Sequence, residues 1–143
     1  MRKNRIKILR QKLKDYNIAG YIVPKNDEYF SEYAQKDRLK IISNFNGSAG
    51  LAIIMKKSNY LFVDGRYTIQ AKQQSGDHFN TRQIHKFLPK DILKNIRLGF
   101  DPNLFTNRSL NRNFGSSIDL ISIENNLIDE IYQSKKQKRK IFY

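Results

Sequence analysis

There is no cysteine in these 143 residues, which removes disulfides, thiolate metal sites and a cysteine nucleophile together. Histidine is nearly as scarce, with only His78 and His85. These two stand seven apart at either end of an expected strand, an odd spacing that points them to opposite faces, and no carboxylate cluster adjoins them. A metal site in this chain is therefore not expected. No apolar run approaches the roughly 18 residues that span a bilayer. The basic start, Met1 to Arg10, imitates the first part of a signal peptide, but Gln11-Lys12-Leu13-Lys14-Asp15 is too polar for the apolar part. A soluble cytoplasmic protein is the expectation. Acidic residues are missing from both ends. Residues 1–14 carry seven basic side chains and residues 135–143 five more, with no acid in either stretch.

Those ends explain the formal net charge of +14. Without their twelve cations, 15 basic residues face 13 acidic ones, so the body is nearly neutral. A nucleic-acid module carries its basic residues on the folded reading surface with aromatics between them, and this distribution argues against one. Hydrophobic residues make up 39% and aromatics 12% of the chain, normal for one globular domain of this length.

Ile6, Leu9, Leu13 and Tyr16 recur at helical spacing and predict an amphipathic first helix. Ile18 to Val23 reads as a buried strand ended by Pro24. Asn26-Asp27-Glu28 offers a capped helix start followed by Tyr29, Phe30 and Tyr33. Ile41-Ile42 reads as the beginning of a strand. Two apolar runs, Leu51 to Met55 and Tyr60 to Val63, flank the turn Lys56-Lys57-Ser58-Asn59 and predict a hairpin. Helical character is expected over Tyr67 to Gln74, stopping near Gly76, and a strand over Phe79 to Ile84. A short helix follows over Leu88 to Asn95 with Pro89 in its first turn. Then come a strand Arg97 to Phe100, a helix Thr106 to Phe114, a strand Ile118 to Ile121, and a helix Leu127 to Tyr132 capped by Asn125-Asn126. Strands alternating with helices around one hairpin predict an α/β fold with a mixed sheet. The stretch after Ser134 is polar and aperiodic, as a linker or frayed end would be.

Candidate chemistry is sparse. Asp27-Glu28 and Asp129-Glu130 fall at helix starts or exposed helix faces, where solvated charge is the ordinary reading. Ser48 has no histidine in a relation that suggests an activating base. The turn Gly47-Ser48-Ala49-Gly50 precedes a strand and not a helix, so it is not a phosphate-cradling loop. It reads as a tight corner whose small residues let backbone approach closely. At the next junction Asp64 can cap helix amides, Gly65 can take a positive φ, and Arg66 can either reach back to an acid or project into a cleft.

Ala19-Gly20-Tyr21-Ile22-Val23-Pro24, Asp27 with Ser31-Glu32-Tyr33, Arg38, Phe45-Asn46-Gly47-Ser48-Ala49-Gly50, Asp64-Gly65-Arg66-Tyr67 with Gln70-Ala71, Gly99-Phe100-Asp101-Pro102 and Asn126 to Tyr132 follow one another along the chain. In that order they resemble the N-terminal, creatinase-like domain of Xaa-Pro aminopeptidases, in particular the longer three-domain type. The resemblance runs from about residue 5 to 133. It implies a mixed sheet flanked by helices, of the creatinase/prolidase N-terminal-domain type, over residues 1–133, with residues 134–143 a basic linker or tail. It also implies a following pita-bread catalytic domain holding two divalent metals, typically manganese, that cleaves before proline. The sequence stops before such a domain would begin and contains none of its ligands. No catalytic or metal residue is therefore assigned, and the chain alone is expected to be inactive.

By the same likeness this domain narrows the entrance to the active site for Xaa-Pro peptides and contributes to a homodimer. The substrate-facing candidates are then Phe45, Asn46, Gly47, Ser48 and Arg66. Two other readings stand beside this one. The first is a free-standing domain that uses its basic termini for polyanion or partner contacts. The second is a catalytically dead scaffold that dimerises through its sheet or helices.

Overall fold

The computed structural model describes residues 2–25, 38–47, 50–84 and 86–131. Helix α1 (Arg2–Asp15) leads into strand β1 (Gly20–Pro24), and α2 (Arg38–Ser43) precedes the hairpin of β2 (Leu51–Met55) and β3 (Asn59–Val63). A 3-10 turn, Gly65–Tyr67, continues into α3 (Thr68–Ser75). Then follow β4 (Asn80–Gln83), α4 (Pro89–Ile92), β5 (Arg97–Phe100), α5 (Asn107–Phe114) and β6 (Asp119–Ser122), and a closing turn of helix, α6 (residues 127–131). The six strands form one sheet in the order β4-β3-β2-β1-β5-β6.

Strand direction decides where a site can lie. β1 is parallel to β5, β5 to β6, and β3 to β4, whereas β2 runs antiparallel to both β1 and β3. Five strands therefore share one direction and present their carboxyl ends along the same rim, with β2 alone reversed. In open α/β sheets that rim is where ligands bind. The segment 44–47 with Gly50, just before β2, and the turn Asp64–Tyr67, which follows β3, both lie on it.

The period-two alternation of the strands splits the core between the two faces of the sheet. Tyr21, Val23, Ala52, Ile54, Leu61 and Val63 point to one face and pack with Leu9 and Leu13 of α1, Leu39 and Ile42 of α2, and Leu127 and Ile128 of α6. Ile22, Ile53, Phe62 and Leu98 point to the other, against Leu93, Phe114 and Ile118. Gly99 sits where backbone must approach closely: a Cβ there would come within 2.6 Å of Ile123 Cδ1 and 2.7 Å of Ile18 Cδ1.

Local chemistry sets most boundaries. Met55 N–H donates to Ser58 O at 2.9 Å and closes the hairpin turn, with Ile54 opposite Asn59. Thr106 and Ser109 form a reciprocal capping box, each hydroxyl accepting from the other's N–H at 3.1 Å. Asn126 Oδ1 caps α6 by accepting from Ile128 and Asp129 N–H.

Several expectations are corrected. Ile41-Ile42 does not start a strand: 38–43 is helical. Leu39 and Ile42, three apart, both face the core, the Ser43 hydroxyl donates to Leu39 O at 2.6 Å, and the turn ends at Asn44 with φ 67°. Two β-branched residues in a row are too short a signal to outweigh that periodicity. Tyr16 lies beyond the end of α1 and is exposed, so the buried stripe is Ile6, Leu9 and Leu13. α4 covers four residues only. Gly65 adopts the turn of a 3-10 helix and not a positive φ, which among described glycines belongs to Gly76 and Gly115. The helix expected after Asn26, the tail from Ser134 and His85 lie outside the described residues.

Candidate functional site

The site is built from the two segments on the carboxyl rim, which the fold joins through one aromatic pair. Phe45 is wholly buried and meets the Tyr67 ring edge-on, centroids 6.2 Å apart at 73°. Gly47 lies flat on the same Phe45 ring: a Cβ there would be 2.2 Å from Phe45 Cζ. A Cβ at Gly50 would meet Leu39 Cδ2 at 2.9 Å. The corner is thus a close approach of backbone to a core ring, and small residues are needed because the ring occupies the space.

Asn46 is exposed, and α3 holds it. Its Oδ1 accepts from Gln70 Nε2 at 2.7 Å and from Gln74 Nε2 at 2.9 Å, while its N–H donates to Gln74 Oε1 at 3.0 Å. Asn44 Nδ2 adds a bond to Gln74 O at 3.1 Å. Four side-chain amides, those of Asn44, Asn46, Gln70 and Gln74, therefore fix the loop 44–47 on the first helix after the hairpin, so the loop's course is set by side chains that sequence spacing alone does not connect.

Arg66 extends from the other segment with its side chain 78% exposed. Asp64 Oδ1 accepts from the Arg66 backbone N–H at 2.9 Å and from its Nε at 3.2 Å, and the guanidinium lies 5.5 Å from the Tyr67 ring centre. So exposed an ion pair contributes under about 1 kcal/mol. Its effect is to hold a cation at the rim beside the Asn46 loop. Of the five residues singled out in the sequence, the structure brings together Phe45, Asn46, Gly47 and Arg66, through Tyr67 and α3. Phe45 and Gly47 are buried, so they shape the loop from behind while Asn46 and Arg66 meet solvent. Ser48 lies outside the described residues.

Chemically, the described part of this rim offers the Arg66 guanidinium and an array of amide donors and acceptors, which suits recognition of a carboxylate or a peptide backbone. It pairs no nucleophile with a base among the described residues. Among the described residues no three His, Asp or Glu side chains converge as a metal ion would require. The donor set does not fit the metal centre implied by the resemblance, and no chemical step of this chain is routed through one.

The sequence reading missed a buried ion pair. Arg38, 2% exposed, donates from Nε and Nη2 to the two carboxylate oxygens of Asp129 at 2.8 and 2.9 Å, with Asp129 21% exposed. Asp129 is therefore not the solvated helix-face charge expected, and neither is Glu130, which pairs with Lys12 at 2.7 Å. Beside the pair, burial raises the Tyr21 phenol well above its ordinary pKa. Leu127 N–H donates to that hydroxyl at 3.3 Å, and Asn126 Nδ2 donates to Asp101 at 3.0 Å. A basic residue opening a core-facing helix, Arg38 before Leu39 and Ile42, was the available hint, but a partner 91 residues away is invisible to local patterns.

Residues 5–131 match the family model described as Creatinase/Prolidase N-terminal domain. The chain belongs to that family, and it is a creatinase-like domain of the kind carried by Xaa-Pro aminopeptidases. It is 31% identical to a probable Xaa-Pro aminopeptidase P of Coprinopsis cinerea, covering 92% of this chain and 23% of the relative. Against the Xaa-Pro aminopeptidase ApepP of Drosophila melanogaster the figures are 35%, 80% and 21%. The chain thus spans between a fifth and a quarter of the length of these relatives.

Among solved structures, the fold matches the X-prolyl aminopeptidase of Caenorhabditis elegans, described as a cytosolic enzyme with a di-nuclear active site. The TM-score is 0.77 at 24% identity, over 93% of this chain and 26% of that one. It also matches the N-terminal domain of the cytoplasmic peptidase PepQ of Mycobacterium tuberculosis H37Rv, with TM-score 0.65 and 17% identity over 90% of this chain and 98% of that one. At these identities the likeness establishes the fold. No helix of the described residues is long and apolar enough to cross a membrane.

Proposed function

We propose that this chain is the non-catalytic domain of a metal-dependent Xaa-Pro aminopeptidase, that it shapes the access of Xaa-Pro peptides, and that it supports assembly of a homodimer. The observation that carries the reading is the family match over residues 5–131 together with a loop locked on the carboxyl rim of the sheet. In this reading Asn46 and Arg66, with Ser48 as a further candidate, meet the incoming peptide, and Phe45 and Gly47 hold the loop's shape. The two divalent metals, with manganese as the expected ion, belong to a catalytic domain joined through residues 134–143. The cytosol is the matching compartment, supported by the description of the worm neighbour.

The test has two arms. The 143-residue chain alone, assayed on Xaa-Pro peptides with manganese, is expected to show no hydrolysis; turnover there overturns the non-catalytic reading. Residues 1–133 are then grafted in place of the matching segment of the worm enzyme. Asn46→Ala and Arg66→Ala in that graft are expected to raise KM about three- to tenfold with kcat nearly unchanged, the pattern of lost substrate binding. A KM identical to that of the unmutated graft removes these residues from the substrate path.

A further inference from the structure

At the opposite end of β2 from the Asn46 loop, about 14 Å away at roughly 3.4 Å per residue, a groove of about 950 Å³ opens between α1 and the hairpin turn. Its walls come from three elements: Lys7, Arg10 and Lys14 of α1, Lys56 and Lys57 of the turn, and the segment at His78. No aspartate or glutamate lines it among the described residues, and none of its five Lys and Arg side chains is ion-paired among them. The contrast lies on the same helix, where Lys12 is bridged to Glu130. Lys7, Arg10 and Lys14 recur at three- and four-residue steps and so share one face of α1 over about 10 Å.

The walls are tied together. Arg10 Nε donates to Met55 O at 2.8 Å, and its Nη2 donates to Asn59 Oδ1 at 2.9 Å. Asn59, itself buried, passes the link on by donating from Nδ2 to His78 O at 3.1 Å. The helix, the hairpin and the segment before β4 are thus held in one arrangement, and the cations on them converge without having to be gathered. Like charges around a concavity repel one another and focus a positive potential into it, so an anion placed there relieves the repulsion while entering a preformed site.

We propose that this groove binds a short oligophosphate: a chain of phosphate groups, inorganic or at the end of a nucleotide. Several cations spread over about 10 Å of helix suit more than one phosphate, and lysines bind phosphate as point charges. No Phe, Tyr or Trp ring lines the groove among the described residues, so there is no platform on which successive bases of a nucleic acid could stack. The site is separate from the peptide-facing rim and does not depend on it.

The experiment is calorimetric titration of the 143-residue chain with sodium tripolyphosphate, ATP and a single-stranded oligothymidylate. Tripolyphosphate is expected to bind at about 50 mM salt and to weaken about tenfold or more at about 200 mM, as several ion contacts are screened. Equal affinity for ATP identifies the phosphate chain as the recognised part; tighter ATP binding identifies a nucleotide as the source. Lys56→Glu with Lys57→Glu is expected to lower affinity at least about tenfold, while Arg108→Glu with Arg112→Glu, the same charge change on α5 beneath the other sheet face, stays within about twofold. Lys7→Gln with Lys14→Gln repeats the test with milder changes should the first pair alter the melting temperature. Absence of binding at low salt, equal losses in the groove and α5 pairs, or oligothymidylate binding more than about tenfold tighter than tripolyphosphate each overturns the proposal.

Discussion

Removing the carboxylate of Asp129 should harm the protein more than removing the guanidinium of Arg38, although the two share one pair of hydrogen bonds. Arg38 is 2% exposed and Asp129 21%. In Asp129→Asn a guanidinium stays buried without the carboxylate facing it; in Arg38→Met the carboxylate left behind still reaches water. Breaking a buried pair from one side costs about 3–5 kcal/mol, and the partial exposure of Asp129 places Asp129→Asn near 3. Arg38→Met should cost about half as much, since its methylenes still fill the space and the Asp129 carboxylate is partly hydrated. For a domain of this size about 4 °C accompanies each kcal/mol, so the two variants should melt about 12 °C and 6 °C below the parent. Urea unfolding followed by far-ultraviolet circular dichroism measures both, with equal m-values confirming that the same surface unfolds. Adding Asp129→Leu to Arg38→Met should recover part of the loss, because an apolar pair of similar volume needs no charge compensation. The reasoning fails if Arg38→Met is as costly as Asp129→Asn, or if the latter costs under about 1 kcal/mol.

Two further outcomes follow from the geometry. Gly47→Ala should cost about 1–3 kcal/mol, because its Cβ would sit 2.2 Å from the Phe45 ring in a packed core; an unchanged urea midpoint would show that the corner has room to spare. Tyr21 sets a pH dependence: burial raises its folded pKa, so the unfolded chain loses the phenol proton first, near pH 10. Its contribution is complete below that pH and declines by up to about 1.4 kcal/mol per unit above it. Denaturant midpoints between pH 8.5 and 11 should therefore fall less steeply in Tyr21→Phe, and parallel curves would refute the assignment.

What could be read in the chain tracks what is local. The hairpin turn Lys56 to Asn59, the Thr106 helix start and the Asn126 cap depend on residues within four positions of one another, and each stands where the sequence places it. The mixed sheet and the family likeness were legible for the same reason, since ordered turn and strand motifs carry them. The misreadings at 38–43 and at Asp129-Glu130 are cases where a distant partner decides. Residues 38–43 are helical because Leu39 and Ile42 have a core to face and Arg38 has Asp129. Asp129 and Glu130 look solvated until α2 and α1 are folded against them. The Asn46 loop is likewise shaped by Gln70 and Gln74, ordinary half-buried polar residues of α3, and nothing in their spacing marks them as partners of a loop 24 and 28 positions earlier.

The order of the sheet bears on how copies of this chain could meet. Its outermost strands, β4 and β6, are only four residues long and expose charged or polar side chains, Asn80 and Arg82 on one, Asp119 and Ser122 on the other. Short, charged outer strands discourage the addition of another strand. The sheet is therefore poorly suited to growing sideways into a continuous intermolecular sheet, and the homodimer proposed above would be made through helices and loops, whose contacts can be adjusted residue by residue without disturbing the six strands behind them.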